Sequence, residues 1–233
     1  MVKRHYCLIE TGLVPESLVP RHGTFPSMGK DLLRQCLEHF ETTTISPVSG
    51  DSLPDPEDFD GYMIMGSEFS VNDDNPWIEP LLRFIQDVVH RSIPLVGICF
   101  GHQAIAKALG GTVENGNWVV GATRYAWEDG SEPLATIAYH EDQVVIAPPA
   151  TTLLMNSADC PIASLRYQSA PCWTIQSHPE FTPAFARDLF ELTRGEPLTD
   201  DMCDAAIASV DDLSPDLDAI HQEIRRTLEH QLL

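Results

Sequence analysis

Hydrophobic and polar positions along the chain alternate between two rhythms. Short apolar runs, "HYCLIE" (residues 5–10), "TTTISPV" (42–48), "GYMIMG" (61–66) and "IPLVGIC" (93–99), read as strands. Between them the spacing turns helical. "GKDLLRQCLEHF" sets Leu32, Leu33, Cys36, Leu37 and Phe40 on one face, and a second helix carries Ile78, Leu81, Leu82, Ile85, Val88 and Val89. Asn75 as N-cap and Pro76 as first helical residue are expected to open that second helix. The proline-rich stretch 14–29 and the acidic stretch 49–60 are expected to be loops. "IPLVGIC" is apolar almost throughout, as a strand buried on both faces of a parallel sheet must be. A helix over "GHQAIAKALGG" follows it at once.

Past residue 111 the texture changes to strand candidates separated by turns: "TVENGNWVVGATRYAWEDG", "LATIAYHEDQVVIAP", "TTLLMNS", "CPIASLRYQ" and "PCWTIQSHPEF". The first half therefore predicts a parallel sheet covered by helices, and the second half adds mixed or antiparallel strands. The chain, 233 residues long, is read as one domain with a core over 1–194 and a helical appendage over 195–233. That tail holds ten acidic and two basic residues, so it supplies eight of the 21 net negative charges.

Composition narrows the picture. An apolar fraction of 43% predicts a folded globule. No run approaches the roughly 20 apolar residues that span a bilayer, and the first residues hold no apolar leader, so a cytoplasmic location is expected. A net charge of −21 repels nucleic-acid backbones and anionic membranes, and neither is expected as a partner. The six cysteines are scattered without a CxxC pair, which favours buried small hydrophobes over a disulfide framework or zinc site. His5, His39, His221 and His230 show no metal-ligand spacing, so no metal is expected.

The candidate chemistry begins at Gly97-Ile98-Cys99-Phe100-Gly101, after a buried strand and before a helix. This is the setting of a nucleophile elbow. Glycines allow the sharp turn, and the helix N-terminus behind the sulfur favours thiolate over thiol. The Phe100 amide would face an oxyanion formed on the attacked carbonyl. A base comes from His178-Pro179-Glu180: Pro179 keeps the segment extended, and residues two apart then project to one side. Glu180 can orient the ring while the ring serves Cys99. His102 lies on the first helical turn and is expected to pack or cap, Cys172 to be structural, and the four tryptophans to be core or rim.

Together, "GICFGHQAIAKALGG" and "QSHPEF" resemble the class I glutamine amidotransferases, the Cys-His-Glu type. "DGYMIMGSEFSVNDDNPWI" and "RHGTFPSMG" are similar to their free-standing, GMP-synthase-like branch, and the resemblance runs over residues 6–192. It implies a three-layer α/β/α, flavodoxin-like fold with a mostly parallel central sheet. It also implies Cys99 as nucleophile on glutamine or a γ-glutamyl compound, His178 as base then acid, and Glu180 as its orienter. Gln103 matches the elbow-helix glutamine that holds substrate, and Gly66 sits where the second oxyanion amide arises. The chain departs from the family's Gly-Gly-Pro there, reading Gly66-Ser67-Glu68, and Ser67 is carried as a substrate contact. "YHEDQV" resembles the pocket segment and brings in His140 and Asp142.

No cofactor is expected, and the chain lacks both a P-loop and a pyrophosphatase-type loop. Three functions are open: an amidase subunit feeding ammonia to a separate synthase, a free-standing γ-glutamyl peptide or amine hydrolase, and a non-catalytic binding protein of the same fold. The intact Cys-His-Glu set argues against the last.

Overall fold

Strands apolar at every residue need cover on both faces, and β3 (Gly61–Ile64) and β4 (Leu95–Ile98) are buried at every position. In the computed structural model, which describes residues 3–211 and 213–229 and so not His230, these two strands lie near the middle of a nine-stranded sheet. With β1 (Arg4–Ile9), β2 (Phe40–Ile45) and β9 (Cys172–Ile175) they form a parallel half in the order β2-β1-β3-β4-β9. The sheet continues through β8 (Ser164–Tyr167), β7 (Thr151–Asn156), β5 (Thr112–Trp127) and β6 (Leu134–Ile146), each antiparallel to its neighbour.

Period-two alternation splits the strand side chains between two cores. Tyr6, Leu8, Met63, Val96 and Trp173 face one side. There they meet α2 (Phe25–Cys36), α5 (Pro183–Leu192), α6 (Asp200–Asp211) and α7 (Asp218–Leu228). Cys7, Ile9, Tyr62 and Ile64 face the other, under α3 (Ile78–His90) and α4 (Phe100–Ala108). The result is three layers, α/β/α, with helices on both sides of the sheet.

Helix boundaries differ from the sequence expectation in two places. The supposed loop 14–29 contains a short helix, α1 (Val19–His22), and then the start of α2. Thr24 caps α2 reciprocally: the Ser27 N–H donates to Thr24 Oγ1 at 3.3 Å, and the Thr24 N–H donates to Ser27 Oγ at 2.9 Å. The helix ends at Cys36 because Leu37 is extended (φ −128°, ψ 150°), and Phe40 opens β2 instead of lengthening the helix. Likewise α3 starts at Ile78 with Trp77 as its cap residue. Asn75 and Pro76 form the turn before it, the Asn75 carbonyl accepting from the Ile78 N–H at 3.0 Å.

The acidic tail packs inward. Ile220, Ile224 and Leu228, four apart on α7, are all buried, and Tyr6 Oη donates to the Leu228 carbonyl at 3.2 Å. Each such side chain contributes about 1.5–3 kcal/mol when fully buried. All six cysteines are buried and unpaired. Among the described residues no helix is long and apolar enough to cross a membrane.

Candidate active site

Cys99 leaves the carboxyl end of β4 with φ 51° and ψ −105°, a combination strained for any residue with a Cβ. The close approach behind it requires glycine: a Cβ on Gly97 would lie 2.7 Å from the Gly101 carbonyl group and from Ile105 Cδ1. The Cys99 N–H continues the sheet to the Ile175 carbonyl at 2.8 Å, and its carbonyl accepts from the Gln103 N–H at 3.1 Å, so strand and helix hold the corner from both sides. The sulfur is 3.6 Å from Gln176 Nε2, which donates to it, and 4.0 Å from the Tyr139 carbonyl. The Phe100 N–H, first in α4, has no acceptor among the described residues.

His178 follows β9 and is pinned by its own N–H, which donates to the Ile137 carbonyl at 2.8 Å. Its Nδ1 donates to Glu180 Oε1 at 2.8 Å, and the Glu180 side chain is fully buried. Phe181 stacks on the ring, centroids 4.0 Å apart and planes at 11°. Burial alone would push His178 down; Cys99 and the Glu180 carboxylate, by charge and hydrogen bonding, outweigh it and raise the ring to about 10. Gly66 locates the meeting point: a Cβ there would lie 3.0 Å from His178 Cε1 and 3.8 Å from Cys99 Cβ. Sulfur, imidazole and the loop after β3 thus converge.

The remaining candidates line one cleft of about 540 Å³ together with Cys99: Ser67, Gln103, His140 and Asp142. Their polar atoms are largely committed. Ser67 Oγ donates to the Thr11 carbonyl at 2.6 Å and accepts from the Phe69 N–H at 3.0 Å, so the hydroxyl shapes the loop. Gln103 Nε2 donates to the Asp142 carbonyl at 2.8 Å and to Gln176 Oε1 at 3.2 Å. Asp142 accepts from the Ser70 hydroxyl and, at 3.1 Å, from Asn115 Nδ2. His140 Nδ1 lies 3.1 Å from the Asp142 carbonyl, and burial pushes this ring down to about 4. His102 is a fully buried packing residue held by Thr174 Oγ1 at 2.8 Å and the Ile162 carbonyl at 3.1 Å. Among the described residues no group of three His, Cys, Asp or Glu side chains is arranged to hold a metal.

Sequence reasoning missed three residues. Gln176 directly follows β9 and lies two residues before His178 across a bend, so the strand's same-side rule does not reach it. Phe181, directly after the tripeptide, carried no signal. Thr11 lies two residues past the end of β1, and its hydroxyl lies 2.9 Å from the Met65 carbonyl and 3.1 Å from the Gly66 carbonyl, holding the loop after β3.

A cysteine at a strand–helix corner, faced by a carboxylate-bound histidine at the carboxyl ends of parallel strands, has the layout of a thiol-dependent acyl-transfer site. A family profile described as Glutamine amidotransferase class-I matches residues 27–190. The chain belongs to that family. Over 211 residues it is 28% identical to a glutamine amidotransferase-like protein of Schizosaccharomyces pombe, covering 82% of this chain and 85% of that one. It is 28% identical over 185 residues to gamma-glutamyl peptidase 3 of Arabidopsis thaliana, covering 70% and 73%. The crystal structure of a glutamine amidotransferase from Methylobacillus flagellatus superposes with a TM-score of 0.73 at 24% identity, covering 98% of this chain and 92% of that one. The last likeness speaks for the fold.

Proposed function

We propose that this protein hydrolyses the side-chain amide of glutamine or of a γ-glutamyl compound through a covalent Cys99 thioester. One observation carries the reading: Cys99 stands strained at the head of α4 while His178, bound to Glu180 at 2.8 Å, converges with it at Gly66. The Cys99 sulfur attacks the amide carbon, forming C–S, and the oxyanion gathers charge against preorganised N–H donors. One donor is the Phe100 amide. The Gly66 carbonyl turns to Thr11, so across that planar trans peptide the Ser67 N–H points away from Thr11. Ser67 also lines the cleft, which supports its amide, one residue past the expected Gly66, as the second donor. The C–N bond breaks as His178 gives its proton to the departing ammonia or amine. His178 then takes a proton from water, the water oxygen attacks the thioester, and C–S cleavage returns the thiolate with release of the γ-carboxylate.

The test is glutamate release from L-glutamine and from γ-glutamyl amines, with Cys99→Ala as control. Turnover that vanishes in the variant while its circular dichroism stays native is the expected result. Substantial hydrolysis by Cys99→Ala would overturn the assignment. Glutamine turnover seen only after adding a synthase would identify an ammonia-donating subunit, whereas turnover of γ-glutamyl amines by the chain alone would identify a free-standing hydrolase. The second is favoured here, because the gamma-glutamyl peptidase resemblance covers most of both chains.

A further inference from the structure

Among the described residues four carboxylates line the cleft beside Cys99, those of Glu68, Asp73, Glu141 and Asp142, and no Lys or Arg does. The hydrogen bonds recorded for three of them come from neutral groups: Glu68 accepts from the Leu13 N–H at 3.1 Å, Asp73 from the Ser70 N–H at 2.9 Å, and Asp142 from Ser70 and Asn115. Neutral donors leave the negative charge uncompensated. Lys107, on α4, turns its ammonium to the Val71 carbonyl and Asn72 Oδ1, at 2.9 and 2.7 Å.

A second, independent feature asks for a hydrogen-bond donor, which an ammonium supplies and a carboxylate does not. His140 lines this cleft, is 4% exposed, and its Nε2 has no partner among the described residues. Its Nδ1 faces a carbonyl, which can only accept, so Nδ1 carries the hydrogen and Nε2 offers a lone pair. A buried acceptor without a donor is costly to leave unmet. The rings of Phe69 and Trp118 complete the walls, and their faces also attract cations.

A glutamyl head brings one ammonium and one carboxylate, which cancel, so it leaves the charge of the cleft unbalanced. We propose that the preferred substrate is a γ-glutamyl amide whose leaving amine carries a further positive charge, as an aliphatic diamine or polyamine does. The inference rests on the hydrolytic reading above and extends it to the leaving group. The reaction is water plus γ-glutamyl diamine giving glutamate and the free diamine, with the amide nitrogen protonated as it departs.

The experiment compares kcat/KM of the full chain for three matched amides: γ-glutamylputrescine, neutral γ-glutamylpentylamine and anionic γ-glutamyl-γ-aminobutyrate. The cationic amide is expected to lead the neutral one by about tenfold or more at low salt, with the anionic one last. That lead should shrink as salt screens the cleft, and also in the double variant Glu68→Gln/Glu141→Gln. Cleavage of all three through Cys99 with the cationic amide no faster than the neutral one would overturn this inference and leave the hydrolytic reading standing. A lead unmoved by both salt and the double variant would also overturn it. No cleavage of any amide or of glutamine by folded protein would remove the hydrolytic reading and this inference with it.

Discussion

On the parallel side of the sheet, Cys99 leaves β4 and His178 follows β9, strands buried at every residue. On the antiparallel side, the edge strand β6 brings Tyr139, His140, Glu141 and Asp142 to the same cleft, three of them only partly buried. The two halves meet at the Cys99 sulfur, whose partners are Gln176 after β9 and the Tyr139 carbonyl of β6. The strained Cys99 backbone is held from both sides, by β9 through its N–H and by α4 through its carbonyl. In the proposed mechanism the reacting groups sit on interior parallel strands, while the edge strand lines the cleft that substrate would enter.

The sharpest way to break this division is at the nucleophile. Cys99→Ala and Cys99→Gly should each lower turnover by about 10⁴-fold or more. Glycine tolerates the φ of 51° and alanine does not, so Cys99→Gly should melt a few degrees above Cys99→Ala. Equal melting temperatures would mean the corner stores no strain. Next comes Gly66→Ala, whose new methyl would press on the His178 ring. A loss of about 10²-fold in kcat with a native fold is expected, because misplacement of an ångström or less is that costly. Gln176→Met removes the donor to the sulfur and should lower kcat by about tenfold or more while KM stays, as for a hydrogen bond to a charged group. A rise in KM alone would instead make Gln176 a substrate contact.

The smallest effect is a shift along the pH axis. His178 is raised from its ordinary 6.5, despite burial, by Cys99 and Glu180, so the protonated ring is the favoured form. The stability it contributes is fully present below 6.5 and lost as pH rises through about 10. The alkaline limb of kcat should therefore lie nearer 10 than 6.5, and Glu180→Gln, which removes the carboxylate charge, should move it down. A limb that stays in place in that variant would remove Glu180 from the ring's electrostatics. On the antiparallel side the matching measurement is the charge preference among γ-glutamyl amides, which Glu68→Gln/Glu141→Gln should weaken while cleavage through Cys99 continues.

Much of this was legible in the chain itself. The apolar run at β4 announced a buried parallel strand because a doubly covered strand has no polar face to show, and the runs at β1 and β3 announced strands. The corner at Cys99 was legible because flanking glycines after such a run have few other uses; the His178–Glu180 contact was expected from an extended segment, but Pro179 and Glu180 form a turn, with the Phe181 N–H donating to the His178 carbonyl at 3.3 Å. Helix starts were less legible: the cap of α2 depends on Thr24 and Ser27 reaching each other's backbone, and Asn75-Pro76 suits a preceding turn as well as a first helical residue.

What the sequence by itself determined is the local chemistry, the order of strands and helices and the residue types at the corner, since these rest on spacing along one chain. What only the tertiary structure decided is the company they keep. Strand order places β4 beside β9, so residues 79 positions apart become neighbours, and it folds β6 back to the same cleft. The turning of Ser67 and Gln103 toward backbone and amide partners, and the unmatched Nε2 of His140, depend on three-dimensional packing that no local pattern encodes.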